Sequence, residues 1–203
     1  MKQRTRTILL TAAILLTGCD QLGTARKPAP GQARFVNSRE GLSGPCTERY
    51  VDFLFDYPAG WEVKRQGPDN PQNYVKVSHR VNGKTVEQFN VGTMIVDDQK
   101  TDIIASLPEL ARGLVAELSK QAGEFQVTSQ QSTRMAGLEG YEVRAINTLT
   151  PPYEPSRKVR LNFRIILLPD ESKKRGVTIM MYEEEAAATG GLKVMTDSFR
   201  FGM

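Results

Sequence analysis

The run Val159 to Leu168 sets Val159, Leu161, Phe163, Ile165 and Leu167 at every second position, with Arg160, Asn162 and Arg164 between them. Side chains alternate across a β-strand with a period of two, so this run specifies a strand with one apolar and one polar face. Such a strand needs hydrogen-bonded neighbours and an apolar layer over its inner face. An all-helical chain is excluded, and the rest of the sequence is read for those neighbours and that layer.

The neighbours are legible. Val51, Phe53, Phe55 and Tyr57 alternate with Tyr50, Asp52, Leu54 and Asp56 in a half-buried strand that Pro58-Ala59-Gly60 ends. Trp61 opens the next short segment, and Pro68 and Pro71 mark a loop. Tyr74 to Val96 reads as a hairpin about Val81-Asn82-Gly83. A plain two-residue Asn-Gly loop would turn Phe89 and Val91 to the wrong face. A three-residue loop, with Gly83 in the left-handed position of a G1 bulge, pairs Val75 with Phe89 and gathers Val75, Val77, Phe89 and Val91 on one face. In that register His79 stands opposite Thr85 and diagonal to Glu87. Phe125–Arg134, Gly140–Leu149 and Val177–Tyr182 supply further strands, the last joined to Val159–Leu168 by the charged turn from Pro169 to Gly176.

The covering layer is helical. Ser106-Leu107-Pro108-Glu109 has the form of a capping box with proline in the first turn. Leu107, Leu110, Ala111, Leu114, Val115 and Leu118 follow at helical spacing, and Gly123 suits the stop. A second helix is expected from about Glu184 to Asp197, weakened by Gly190-Gly191, before Ser198-Phe199-Arg200-Phe201 closes the chain. Strands, helix, strands, helix, joined by hairpins, specify an α+β fold: a mainly antiparallel β-sheet flanked by helices.

The N-terminus carries a different signal. Lys2, Arg4 and Arg6, with no acid, precede the short apolar run Ile8 to Leu16. A spanning helix needs roughly 20 residues, so this run is too short. A basic start, a short apolar middle and a small-residue exit describe a secretory signal peptide over residues 1–18. The exit Leu16-Thr17-Gly18-Cys19 resembles the bacterial lipobox. That resemblance implies cleavage between Gly18 and Cys19, lipid (palmitate-type acyl chains with diacylglycerol) on Cys19, and anchoring to a membrane face. Asp20 resembles an inner-membrane retention signal, with the outer membrane as the alternative. The expected location is the cell envelope, facing the periplasm.

Residues 19–45 are rich in Gly, Pro, Ala, Ser, Gln and Arg and read as a lipidated flexible tether. About 25 such residues reach roughly 25–30 Å, and Phe35 and Val36 could dock locally. Residues 46–203 form the folded domain, a comfortable size for one core. Without Lys2, Arg4 and Arg6 the 27 cations fall to 24 against 23 acids, a net charge of +1. No concentrated basic tract exists, which speaks against nucleic acid as a partner. With Cys19 acylated, Cys46 has no partner in the chain, and it is either a buried small hydrophobe or a thiol open to another molecule.

Chemistry-bearing patterns are sparse. His79 is the single histidine, so any triad or metal cluster needing a second one is excluded. His79 itself is either a base beside a carboxylate or a packed strand residue with one hydrogen bond. Neither a phosphate-binding loop nor a dinucleotide fingerprint occurs. Gly41-Leu42-Ser43-Gly44 is no nucleophile elbow. Glu183-Glu184-Glu185 and Asp97-Asp98 lack calcium-loop spacing and read as solvated ends of elements. Trp61 either anchors a partner or caps the core. Tyr153, in the stiff stretch Thr150-Pro151-Pro152-Tyr153-Glu154-Pro155, is the other candidate partner contact.

Asp56-Tyr57-Pro58-Ala59-Gly60-Trp61 resembles the opening of PsbP-like and Mog-type (DcrB-like) domains. Met135-Ala136-Gly137-Leu138-Glu139-Gly140-Tyr141-Glu142-Val143 and the closing Asp197-Ser198-Phe199-Arg200-Phe201 are similar to that family as well. The resemblance spans roughly Val51 to Phe201. It implies an α/β/α sandwich around an antiparallel sheet and a non-enzymatic role in binding or assembling larger protein complexes. It transfers no metal ligands and no cofactor, because no matching His-rich pattern is present. The expected function is a membrane-anchored envelope lipoprotein acting as a binding or assembly module for an envelope protein complex. A periplasmic small-ligand carrier and an envelope enzyme are the alternatives.

Overall fold

The structure, a computed structural model, describes residues 27–67, 71–94, 102–121, 124–150, 156–170 and 175–202. Gly18, Cys19, Asp20, Asp97, Asp98, Gly123 and Tyr153 lie outside the described residues. The described elements, in order, are β1 (Gln32–Val36), α1 (Pro45–Glu48), β2 (Phe53–Pro58), β3 (Glu62–Arg65), β4 (Asn73–Val81), β5 (Lys84–Thr93), α2 (Ile103–Gln121), β6 (Glu124–Met135), β7 (Leu138–Leu149), β8 (Val159–Asp170), β9 (Arg175–Glu184), α3 (Gly191–Ser198) and β10 (Arg200–Phe201).

The fold is α+β, as the alternation of elements specified. Seven strands pair antiparallel in the order β3-β4-β5-β9-β8-β7-β6, and a smaller sheet runs β1-β2-β10. Helix α2 covers one face of the large sheet, where Ile103, Leu107 and Ala111 meet Val143, Ile165 and Leu167. The small sheet and α3 cover the other, bringing Phe35, Phe53, Phe55, Leu192, Met195 and Phe199 onto Val75, Val77, Phe89, Val91, Ile166 and Ile179. Both apolar layers meet at β8. Its second half reads Ile165-Ile166-Leu167-Leu168 because both faces are buried there, so the alternation gives way to a continuous apolar run. The heart of the second layer is aromatic: Phe35 and Phe55 stack at 5.3 Å, Phe53 and Phe199 at 5.4 Å, and Tyr74 meets Phe53 edge-on at 5.6 Å. Each buried aromatic contributes on the order of 1.5–3 kcal/mol from burial alone.

Four boundaries differ from expectation. The β4–β5 hairpin turns on two residues, with Val81 opposite Lys84 and both Asn82 (φ 50°) and Gly83 (φ 79°) left-handed. That is the Asn-Gly I′ turn. The face is then corrected by a bulge after the turn: His79 pairs with Glu87 while Arg80 pairs with Thr85, leaving Val86 extra. Val77 therefore opposes Phe89, and the four apolar residues share a face as expected, by a different device. His79 faces Glu87, not Thr85.

Helix α2 begins three residues before Ser106. Asp102 accepts the Ala105 amide at 2.9 Å and is the cap. Ser106 is inside the helix, donating to the Ile103 carbonyl at 2.7 Å, so Pro108 lies beyond the first turn. The second helix is shorter than expected. β9 runs on to Glu184, and α3 starts only at Gly191, after Gly190 in the left-handed region (φ 82°). Two glycines oppose helix propagation, and pairing with β8 claims the Glu184 end instead.

The stretch read as tether also contributes structure. Gln32–Val36 pairs along β2, Phe35 is buried in the aromatic layer, and Arg34 grips Asp56 through bonds of 2.6 and 3.1 Å. Its two large apolar residues, Phe35 and Val36, are adjacent and give no alternation; the pairing with β2 makes the strand. Cys46, on α1, is fully buried with its Sγ 3.4 Å from the Pro71 carbonyl, and burial pushes its thiol up to about 11. It is the buried small hydrophobe of the two readings, closed to outside thiols in the folded state.

Candidate functional site

Two neighbouring features at α3 gather the polar side chains of the domain. The first lies where the bulge aims β5 inward. Glu87 is completely buried, directly opposite His79 on β4 and Glu183 on β9. A buried carboxylate without donors would cost several kcal/mol. Three donors meet this one. His79 Nδ1 donates to Oε2 at 3.0 Å, the Thr189 hydroxyl to Oε2 at 2.7 Å, and the Thr189 amide to Oε1 at 3.1 Å. Thr189 precedes α3, so the carboxylate fastens the start of that helix to the sheet.

Trp61 closes the same feature from outside. Its ring stacks on His79 at 5.2 Å with a 10° interplanar angle. It also lies so close to Gly191 that a Cβ there would come within 2.3 Å of the indole Cζ2. Trp61 is half-buried against the aromatic layer, and His79 packs against its ring with one hydrogen bond. The imidazole is held by its face and by Nδ1. Burial and the neighbouring charge of Glu87 raise Glu183 above the ordinary carboxylate range.

The second feature follows from where α3 sits. It rests over β2 and β5, and among the described residues it leaves the polar face of β7, β8 and β9 open beside it. The result is an open groove of about 710 Å³. Arg144, Asn162 and Arg164 rise from its sheet side, Lys193 and Asp197 from α3, and Ile146, Met181 and Leu192 give apolar surface between them. Glu142, 2 % exposed, holds two arginines: Arg164 Nη2 donates to Oε2 at 3.0 Å and Arg144 Nε donates to Oε1. Burial pushes the Glu142 carboxyl upward, but the hydrogen bonds from Arg164 and Arg144 outweigh it and hold the group below the ordinary range.

Among the described residues no group of three or more His, Cys, Asp or Glu side chains is placed to hold a metal ion. Among them, too, no helix is long and apolar enough to cross a membrane. Sequence patterning missed Glu87, Thr189 and the Arg144–Glu142–Arg164 cluster as sites. The signal was present in part: Tyr141, Val143 and Ala145 pointing inward forces Glu142 and Arg144 onto the opposite face. Their convergence with Arg164 needed the β7–β8 register.

No protein-family model matches the chain, and no curated protein matches it by sequence. Solved structures match it by shape. The chain is similar to the cyanobacterial PsbP, CyanoP, of Synechocystis sp. PCC 6803, with 13 % identity, a TM-score of 0.55, and coverage of 92 % of this chain and 99 % of that one. It is also similar to LpqN of Mycobacterium tuberculosis, a protein involved in cell envelope biogenesis, with 9 % identity, a TM-score of 0.52, and coverage of 85 % and 92 %. The Ran-binding protein Mog1p of Saccharomyces cerevisiae aligns with 13 % identity and a TM-score of 0.46, over 73 % of this chain and 89 % of that one. At these identities the likeness is one of fold: the domain has the PsbP-like arrangement that the motifs around Pro58 and Gly140 implied.

Proposed function

We propose that this chain is an envelope lipoprotein, anchored through lipid on Cys19, whose domain is a non-enzymatic binding or assembly module. The observation that carries the binding role is the outer edge of β6. This strand ends the order of the large sheet, pairs with β7 alone among the described residues, and is twelve residues long. Proteins ordinarily shorten, charge or cover such an edge. Here Gln126-Val127-Thr128-Ser129-Gln130-Gln131-Ser132-Thr133 carries no charge and no proline, and most of it is exposed. An extended segment of a partner protein can add to it as a further strand, with backbone hydrogen bonds giving the affinity.

The envelope location is supported by the basic start, the short apolar run and Leu16-Thr17-Gly18-Cys19, and by the envelope role of one protein of similar shape. A non-enzymatic role is supported by the way His79 and Glu87 are occupied in holding α3. A second reading, a carrier of a small ligand, is favoured by the groove beside α3.

The test is site-specific photocrosslinking in the native membrane, with a photoreactive residue at Gln126 or Gln130 on β6 and a control at Arg112 on α2. A discrete envelope protein captured from both β6 positions and not from Arg112 is expected. Equal labelling from all three, or none from β6, overturns the assembly role. Mass spectrometry of the mature N-terminus tests the anchor: an unmodified Cys19, or a chain cut elsewhere, removes it.

A further inference from the structure

We propose that the groove beside α3 seats the phosphate headgroup of an anionic phospholipid, gripped by Arg144 and Arg164. The two arginines face each other directly across β7 and β8. Like charges in that position repel. Glu142 offsets one of the two charges and fixes both side chains, leaving the cluster one positive charge in excess. A guanidinium has five N–H donors. Glu142 engages Nε of Arg144 and Nη2 of Arg164, and the two side chains stay 55 % and 32 % exposed at the groove, so the rest of each guanidinium faces it. Donors pre-set in this way match the oxygens of a phosphate. The neighbouring groove surface is apolar at Ile146, Met181 and Leu192, which suits an amphiphile better than a bare anion.

The position of the groove argues for lipid over other phosphates. Arg164, Thr196 and Asp197 line both the groove and an adjoining hollow that holds Arg134 and Arg200. Asp197 and Arg200 continue into a third hollow that ends at Lys27. Around this belt Lys27, Arg134, Arg144, Arg164, Lys193 and Arg200 face Glu139, Glu142, Glu183 and Asp197, while Arg34 and Asp56 neutralise each other. Lys27 stands eight residues after Cys19 (27 − 19). Eight residues span at most roughly 28 Å in any conformation. With lipid on Cys19, a step that rests on the anchoring reading above, the basic belt is held within reach of the bilayer surface.

The test uses protein purified from its own membrane and reconstituted in vesicles of phosphatidylcholine, with or without phosphatidylglycerol and a trace of photoreactive phosphatidylglycerol. Crosslinks are expected on peptides of β7, β8 and α3. Arg144→Gln and Lys193→Gln should each lower their yield about fivefold, the factor for one cation lost from an anionic surface. Arg144→Gln keeps Glu142 paired with Arg164 but removes the donor to Oε1, so it should melt somewhat below the parent and its crosslinking is read well below that melting point, whereas Lys193 is exposed and its variant should melt as the parent does; Arg112→Gln on α2 should change nothing. Crosslinks elsewhere, or yields insensitive to Arg144 and Lys193, overturn the proposal. So does competition by inorganic phosphate as effective as that by short-chain phosphatidylglycerol, or labelling of those peptides by a co-purifying protein instead. The N-terminal peptide is weighed in the same sample. Acylated Cys19 without groove crosslinks overturns the lipid site alone, and groove crosslinks on a chain with unmodified Cys19 overturn the anchor alone.

Discussion

Replacing Gly191 by alanine adds one methyl group where the Trp61 ring already stands. The new Cβ would lie 2.3 Å from indole Cζ2, 2.5 Å from Cη2 and 3.1 Å from Pro58 Cγ. Comfortable carbon contacts begin at about 3.5 Å, so the ring must retreat by more than an ångström. That retreat disturbs its stacking on His79 and its packing on the aromatic layer. Overpacking of this kind destabilises by about 1–3 kcal/mol. For a domain of this size that is a fall in Tm of roughly 2–4 °C per kcal/mol. Trp61 is the single tryptophan of the chain, so its emission reports the displacement directly while urea unfolding reads the stability. Trp61→Phe removes the outer ring that reaches Gly191. The two changes should then be non-additive, with the double variant more stable than the sum predicts by about 1 kcal/mol. Additive effects, or a Gly191→Ala protein with unchanged stability and emission, would refute the packing argument.

Three other outcomes follow from the same structure. Glu142 titrates below its unfolded value, so its contribution is present above that value and lost as the pH falls through the folded one; Glu183 is raised, so its contribution is present at low pH and lost as the pH rises through its folded value. Glu183→Gln should therefore flatten the loss of stability on the alkaline side of the carboxylate range and leave the acid limb to Glu142; an unchanged pH–stability curve would refute the assignment. Cys46 should react with a thiol reagent only at the rate of unfolding, and modification within seconds in native buffer would contradict its burial. Asp102→Ala should destabilise by about 1 kcal/mol while Ser106→Ala is nearly neutral, and the reverse order in urea titrations would restore Ser106 as the cap.

The large sheet was legible wherever one face of a strand is wet, because burial on one side writes a period of two. Where both faces are covered, as at Ile165-Ile166-Leu167-Leu168, the strand survives in the sequence but its facing does not. The hairpin shows the limit of register arguments: the apolar face was right, yet two devices produce it, and only the paired positions tell a longer loop from an Asn-Gly turn followed by a bulge at Val86. β1 was illegible because its stability comes from a partner 20 and 22 positions away (55 − 35, 56 − 34), through Arg34 on Asp56 and Phe35 on Phe55. The candidate sites were least legible. Glu87 with Thr189, and Glu142 with Arg164, are separated by 102 and 22 positions, and nothing local marks either pair.

The small sheet has one further consequence. β2 is held on one side by β1 and on the other by β10, the last described strand, and the Asp56 amide donates to the Ser198 hydroxyl 142 positions away. Strands β1 and β2 can pair early, but the stack of Phe53 and Phe55 on Phe199 joins residues 146 and 144 positions apart (199 − 53, 199 − 55). Late closure of such distant contacts makes folding slow relative to chains with local contacts. The aromatic layer therefore stays open until Phe199 docks, and loss of Phe199 to Phe201 would leave that layer without its lid.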